Sequence, residues 1–492
     1  MPKKQNKYKG IKEDKVIFNI SKSKNFSKWF TEILKKAEIA DIRYNVKGFL
    51  VFQPWSVLCM EKMYKFMEEK LQEKSHQPYF FPTVIPEKNF KVEADHVKGF
   101  TPDVFWVTHG GSTKLQEKLA LRPTSETAFY QMFALWIRSH KDLPFKTYQR
   151  ANIFRYETKA TRPFLRSREF LWIEGHCAHA TAKDAEAQVK EDMETTHEVL
   201  HDIFGLPFIF FERPQWDKFP GADKTFAADV LNPNGKLVQQ PSTHLLGQRF
   251  SKAFNIKFKD KFGKEKYPFI TCYGPAISRI FASVMITHGD DKGLKFPWKI
   301  APKQVVITTI GKDKSIEKKA LELKKRLEEN NIDTEIDNSE KMPGEKYYFW
   351  EMKGIPLRIE LGKNEIKKRE LTIFRRDTEK KLKIKEKNLI DSINKISKEY
   401  DKNLIKTADN LFKGRIVNVK TREDIKTAIE AGRIARCNFC YIDHRGTGCA
   451  EIIEKEIGAE VRGKSLKKEK ASGKCVLCKK PAKEVVYIGK SY

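Results

Sequence analysis

Arg155 and Glu157, two residues apart in Phe154-Arg155-Tyr156-Glu157, have the types and spacing to handle an anion and an amine together. On a strand, alternate side chains share a face. A guanidinium fork there can hold a phosphate while the carboxylate accepts from an amine or hydroxyl. Alone, the pair fits equally well a surface hairpin with cross-strand ion pairs. Arg279 follows the turn Tyr273-Gly274-Pro275 and leads into an apolar helix over 280–286. Buried at that point, it needs an anionic partner. The third set is of thiols, since five of the eight cysteines fall between Cys437 and Cys478. Cys475-x2-Cys478 is a knuckle of the kind zinc uses, and Cys440 with Cys449 completes four thiolates for a closed, structural site. Cys437-x2-Cys440 with Cys475-x2-Cys478 is an equally good zinc ribbon by spacing. Reduced, unmetallated thiols are the alternative to either.

Three domains are expected to position these groups, since 492 residues divide at about 100–200 per domain. Residues 1–300 read as one large α/β body in which Pro-marked extended segments alternate with amphipathic helices. One helix opens with a capping-box-like start at Thr181 to Asp184 and turns Val189, Met193, Leu200, Ile203 and Phe204 inward, stopping at Gly205. Residues 301–405 read as a small α/β domain. It has strands over 305–310, 332–336, 357–361 and 371–374, and a helix burying Ile316, Ala320, Leu323 and Leu327. Leu389, Ile393, Ile396, Tyr400 and Leu404 form one apolar stripe of a long helix expected to pack on that domain. Residues 406–492 hold the cysteine cluster.

Composition excludes several classes. No apolar run approaches the roughly 18 residues of a membrane span, and the charged start MPKKQNKYKG lacks a secretory h-region. Eight cysteines are too sparse for a disulfide scaffold. The net charge of +30 favours a polyanionic partner, the alternative being a lysine-rich solvated surface. A cytoplasmic location is expected.

The helix over 55–71 with Pro82 behind it, the hairpin around Arg155, and the Arg279 element together resemble motifs 1, 2 and 3 of class II aminoacyl-tRNA synthetases. The finer resemblance, over nearly the whole chain, is to the prolyl-tRNA synthetase family of the archaeal/eukaryotic type. It rests on Arg122-Pro123-Thr124-Ser125-Glu126, Arg162-Pro163-Phe164-Leu165-Arg166, Glu169-Phe170-Leu171-Trp172, Glu174-Gly175-His176, Ser242-Thr243-His244 and Pro343-Gly344-Glu345-Lys346, in that order. The resemblance implies an α/β multidomain protein. Its parts are a class II catalytic domain on a seven-stranded antiparallel sheet, a small α/β anticodon-binding domain, and a C-terminal zinc-binding α/β domain.

It also implies roles. Thr124 and Glu126 resemble the acceptors of the proline ammonium, His244 a second proline-site residue, and Phe100, Trp172 and Phe219 the walls around the pyrrolidine ring. Arg155 resembles the motif 2 arginine on the substrate carboxylate and the α-phosphate, with Glu157 beside it. Arg166 and Ser167 are similar to motif 2 loop contacts to ATP, Gln239 and Ser242 to ribose-side contacts, and Arg279 to the motif 3 arginine at the γ-phosphate. The stretch from Gly274 to Arg279 is one residue longer than the pattern, so Ser278 and Arg279 can exchange roles. Gln240-Pro241 stands where small glycines are common. Cys59, Cys177 and Cys272 are expected to be packing residues. The zinc ligands implied are Cys440, Cys449, Cys475 and Cys478, and the final Tyr492 resembles a residue whose carboxylate points toward the active site.

The partners implied are L-proline, ATP with Mg²⁺, tRNA(Pro), and a second copy of the chain. Lys346 to Trp350, Lys353, Arg358, Lys367 to Arg369, Arg375 and Arg376 intersperse bases and aromatics suited to stacking on anticodon bases and holding phosphates. The activity implied is proline activation to prolyl-adenylate and transfer to tRNA. The rivals are a threonine or serine enzyme of the same subclass and a catalytically silent RNA-binding protein. A threonine enzyme would need a Cys/His/His zinc set in its pocket. A silent protein would have lost Arg155, Arg279, Glu126 or Thr124.

Overall fold

Alternating apolar residues with few charges make strands that need cover on both faces, and here they assemble one large sheet. The computed structural model describes residues 18, 20–90, 92, 104–158 and 160–492. Phe145–Phe154 and Glu169–His179 pair antiparallel over ten residues, from Phe145 opposite Ala178 to Phe154 opposite Glu169. Phe269–Gly274, Lys236–Gly247, Lys224–Leu231 and Ile209–Glu212 follow in that order, all antiparallel. Gln77–Pro78 completes seven strands at the other edge, but runs parallel to Phe145–Phe154. An edge suits Pro78, which has no N–H to give a central ladder.

Four strands of the third domain extend this sheet to eleven. Glu460–Ser465 pairs with Ile209–Glu212, Lys464 lying opposite Glu212 and Ser465 opposite Phe211. Gly463 makes the join possible: its φ is +128°, and a Cβ there would stand 2.2 Å from the Glu212 carbonyl oxygen. Glu484–Ser491 also runs parallel to the start of Lys236–Gly247, Lys236 opposite Lys490.

Helices Phe26–Lys36, Pro54–Glu73 and Ile277–His288 pack through Trp29, Phe30, Met63, Met67, Phe281 and Met285 into one core. Helix Ala182–Thr196 starts as expected, the Thr181 side chain accepting from the Asp184 N–H. Val189, Leu200 and Phe204 are buried, while Met193 and Ile203 are half-buried. Apart from Ala185, its other buried residues are polar. Asp192 accepts from Thr243 at 2.7 Å and Gln188 at 2.8 Å, and Thr196 bonds the Tyr273 hydroxyl at 2.7 Å.

The second domain carries strands Thr334–Asp337, Val305–Thr309, Leu357–Leu361, Glu370–Arg375 and Lys380–Lys385 in sheet order. Helix Lys314–Glu328 buries Ile316, Ala320, Leu323 and Leu327, the expected face. Lys380–Lys385 is an edge strand whose lysines discourage further pairing. Pro343–Lys353 is a helix that periodicity did not signal, opened by Pro343 and by Glu345 accepting from the Met342 N–H at 3.0 Å.

The expected RNA-facing set is corrected here. Lys346, Trp350, Lys353, Arg358 and Arg376 are buried. Arg358 lies between the rings of Tyr347 and Phe374, 3.8 and 4.3 Å from their centroids, and pairs with Glu351 and Glu360. Arg376 is bidentate to Asp290, tying this domain to the first. A charge among aromatics in sequence thus marked an internal ion pair, while Tyr348, Lys367, Lys368 and Arg369 remain exposed. Helix Leu389–Lys413 buries the predicted stripe. Its start packs on the second domain, but Phe412 joins Phe211, Leu237 and Tyr487, so the helix also fastens the other two.

Burial pushes the Asp192 carboxyl up to about 7. The fold thus favours the protonated form, and this contribution to stability is full below the ordinary carboxylate pKa and lost as pH climbs through about 7. Every tenfold difference in proton affinity between the folded and unfolded chain is worth about 1.4 kcal/mol. Urea unfolding of Asp192→Asn and the parent at pH 4 and pH 7.5 should show a flatter pH dependence in the variant.

Candidate active site

Strands Lys224–Leu231, Lys236–Gly247, Phe269–Gly274 and Glu169–His179 form the floor of a cavity of about 270 Å³. Its two ends carry opposite charge.

At the acidic end, Glu126 opens helix Glu126–Trp136 and is only 2% exposed. The Thr124 hydroxyl bridges Glu126 Oε2 and Glu174 Oε1, 3.0 Å from the latter. Glu174 accepts the Ser125 N–H at 2.8 Å and Gln149 Nε2 at 3.3 Å. Burial by itself would raise the Glu174 carboxyl, but His176 and Ser125 hold it below the usual carboxylate range. Glu174 had no assigned role; its signal was strand alternation, two residues from Trp172. Cys272 packs in the core beside Phe129 and Phe250, as expected, and also lines the cavity, its thiol 3.8 Å from Glu126 Oε1. Burial pushes that thiol well above its ordinary value, so it stays protonated. Glu126, His176 and Cys272 gather potential ligand atoms within 4.8 Å, a set different from Cys/His/His. Cys59 is core packing, and Cys177 Sγ sits 3.4 Å from His76 Nε2.

One side wall is aromatic. His244 lies between hydroxyls, Thr225 Oγ1 3.0 Å from Nδ1 and Ser242 Oγ 3.0 Å from Nε2. Burial brings its pKa down to about 3, so the ring is neutral at neutral pH. Phe219 lies with its ring 4.6 Å from that of His244, its N–H donating to Thr225. Trp172 spreads its indole over Gly274, where a Cβ would meet ring atoms at 2.3–2.7 Å. Phe100 lies outside the described residues.

At the basic end stand Arg155 and Arg279. Arg155 Nε donates to the Pro123 carbonyl at 3.0 Å, and its guanidinium lies 5.4 Å from the Phe170 ring and 5.6 Å from Trp172. Arg279 reaches the Gln239 carbonyl at 3.3 Å and lies 5.9 Å from the same Phe170. Phe170, part of a motif but without a role there, thus seats both arginines. Burial, then the charge of Arg155, brings Arg279 down to about 10, leaving it cationic. Arg279 faces the cavity, while buried Ser278 accepts from the Leu171 N–H at 3.3 Å.

Glu157 departs from expectation. The strand ends at Phe154, and the Glu157 N–H donates to the Arg155 carbonyl at 2.8 Å. That three-residue turn breaks the alternation, so Glu157 does not line the cavity beside Arg155 and lies 3.6 Å from Arg166. Arg166 also reaches the Tyr492 backbone oxygen at 3.0 Å. The Ser167 hydroxyl is buried with no partner among the described residues. Gln239 and Ser242 line the cavity, the latter engaged with His244. Between them Gln240-Pro241 forms a bulge opposite Ala228, because Pro241 cannot donate to the ladder. Gln240 fills the floor by donating to Ser283 at 2.8 Å.

Remote from this cavity, the sulfurs of Cys440, Cys449, Cys475 and Cys478 lie within 4.8 Å of one another. Cys437 is outside the group, on strand Ile434–Phe439 opposite Val486. The spacing alternative built on Cys437 is therefore not the one the fold assembles.

Residues 105–288 match the family described as tRNA synthetase class II core domain (G, H, P, S and T). Residues 304–396 match the anticodon binding domain, and 422–492 the prolyl-tRNA synthetase C-terminal domain. A proline–tRNA ligase of Thermofilum pendens is 45% identical over 480 residues, 96% of this chain and 98% of that one. One of Pyrococcus abyssi is 40% identical over 479 residues, 96% of this chain and 98% of that one. Among solved structures, Giardia lamblia prolyl-tRNA synthetase in complex with prolyl-adenylate superposes with a TM-score of 0.94 at 36% identity, covering 97% of this chain and 100% of that chain. Prolyl-tRNA synthetase from Cryptosporidium parvum complexed with halofuginone and AMPPNP gives 0.92 at 33%, covering 96% and 99%.

Gly274→Ala should force the Trp172 indole off the cavity floor. We expect an altered near-UV circular dichroism signal and a loss of roughly 1–3 kcal/mol in stability. An unchanged tryptophan signal would show that the ring is not seated there.

Proposed function

The chain belongs to the prolyl-tRNA synthetase family of class II aminoacyl-tRNA synthetases, and from that premise we propose which residues carry the reaction. The reaction is ligation of proline to tRNA. The proline carboxylate attacks the α-phosphorus of ATP and pyrophosphate leaves; a hydroxyl of the 3′-terminal adenosine of tRNA(Pro) then attacks the acyl carbon of prolyl-adenylate, and AMP leaves. No protein nucleophile is required. The protein's work is to hold two anions in line and stabilise charge developing at phosphorus.

The observation that carries the assignment is one cavity with a carboxylate end and a guanidinium end. The secondary ammonium of proline has two N–H donors, which Glu126 and Thr124 accept, with Glu174 fixing their geometry. Phe219, Trp172 and neutral His244 enclose the ring; a protonated histidine there would repel the ammonium. Arg155 bridges the proline carboxylate and the α-phosphate, and Arg279 takes the γ-phosphate. Arg166 and Ser167 contact ATP from the motif 2 loop, with Glu157 orienting Arg166 through their pairing. Gln239 and Ser242 serve the ribose side. Mg²⁺, when bound with ATP, would offset charge on the phosphate oxygens.

The proposed domains are catalytic (1–300), anticodon-binding (301–405) and C-terminal (406–492). Exposed Tyr348, Lys367, Lys368 and Arg369 are left as the RNA-facing groups of the second. A structural zinc is proposed on Cys440, Cys449, Cys475 and Cys478, where four thiolates make a closed site that fixes the fold. A homodimer through the motif 1 region is supported by the exposed apolar side chains Val57, Leu58 and Phe80. The proposed location is the cytoplasm; no helix among the described residues is long and apolar enough to cross a membrane.

ATP–pyrophosphate exchange tests the site. Proline should drive exchange far better than threonine or serine, and Arg155→Ala or Arg279→Ala should each cut it about 10²–10³-fold in a folded protein. Near-parental exchange in either variant would remove that arginine from the reaction. For the metal, Cys449→Ser should lose the bound zinc and lower Tm, whereas Cys437→Ser should retain it. Retention of zinc by Cys449→Ser, measured by elemental analysis, would point to the other ligand set.

A further inference from the structure

His197 and His201 stand on the segment continuing helix Ala182–Thr196, and the turn between them is widened. The Asp202 N–H donates to the His197 carbonyl at 3.2 Å, a π-helical closure. Closing i→i+5 brings residue i+5 round to the face of residue i, so Asp202 joins the two histidines. Potential ligand atoms of all three lie within 4.8 Å of one another. His201 Nδ1 is 2.7 Å from Asp202 Oδ1, and His197 Nδ1 is 3.6 Å from Asp202 Oδ2. Ligands about 2.0–2.1 Å from a tetrahedral zinc ion stand about 3.3–3.4 Å apart, between those separations. On the far side of the ring, His201 Nε2 lies 3.2 Å from Asp409 of helix Leu389–Lys413. A carboxylate behind a ligating imidazole fixes its tautomer and orientation.

We propose that His197, His201 through Nδ1, and Asp202 bind a divalent transition metal such as Zn²⁺, with Asp409 as the positioning residue for His201 and water completing the shell. His197-Glu198-Val199-Leu200-His201 has the spacing of hydrolytic zinc helices, in which the glutamate serves as base. Here Glu198 is engaged elsewhere, 3.3 Å from Lys74 Nζ and 3.8 Å from Lys70 Nζ. The site is therefore one of binding, not hydrolysis. The ion fastens this turn of the catalytic body to the long helix that links the other two domains.

The test titrates the full-length protein with Zn²⁺ and, separately, Co²⁺, beside His197→Ala and Asp409→Asn. His197 has a side chain 59% exposed, so His197→Ala should melt with the parent in the absence of metal. The parent should take up one equivalent more than His197→Ala, any ion at the cysteine cluster cancelling in the comparison. Asp409→Asn should keep that equivalent and weaken it about 10–100-fold. Co²⁺ in that equivalent should show d–d bands without thiolate charge transfer. Equal uptake by parent and His197→Ala, or an extra equivalent carrying thiolate charge transfer, overturns the proposal.

Discussion

Asp229, fully buried, carries two buried arginines: Arg213 at 2.7 Å from the catalytic body and Arg462 at 2.8 Å from the third domain. Burial would raise its carboxyl, but the two guanidiniums hold it below the usual range. Removing one member of such a set strands a charge in low dielectric, at a cost of about 3–5 kcal/mol. The set is thus tolerable only with every member in place, which requires the two domains to be docked. Arg213 also reaches Gln239 Oε1 at 3.2 Å and the Arg462 carbonyl at 2.9 Å. The same guanidinium therefore holds a residue of the cavity floor and the strand through which the sheet continues.

That arrangement explains why the cavity can keep charges of both signs close together without collapse. Arg155 and Arg279 share Phe170 as a seat. Backbone carbonyls of Pro123 and Gln239 take part of their donor capacity. The carboxylates are occupied with Thr124, Ser125 and Gln149. The two ends thus carry charges of opposite sign, suited to a ligand with a cation at one end and anions at the other.

Much of this was legible in the sequence. Arg279 at the start of an apolar helix, the Cys475-x2-Cys478 knuckle and the stripe from Leu389 to Leu404 depend on local spacing, and the structure follows them. What sequence patterns missed depends on distant partners. Arg376 reads as an RNA contact until Asp290, far away in the chain, is found beside it. Glu174 and Phe170 sit within recognisable motifs, yet their parts emerge only when strand pairing sets Glu174 against Gln149 and the fold brings two arginines to the Phe170 ring. Glu157 failed for a local reason, a three-residue turn that strand alternation does not foresee. Spacing left Cys437 and Cys449 as alternatives, and helix Thr447–Ile457 brings Cys449 beside the other three sulfurs.

The shared sheet also bears on how the chain is made. Arg213 and Arg462 are separated by 249 positions, and the strand that covers Ile209–Glu212 emerges correspondingly late. At about 5–20 residues per second, synthesis leaves that edge uncovered for roughly 12–50 s. During that interval its unpaired N–H and carbonyl groups are a template for other extended chains. Efficient production of the protein therefore depends on what shields that strand while the ribosome is still at work.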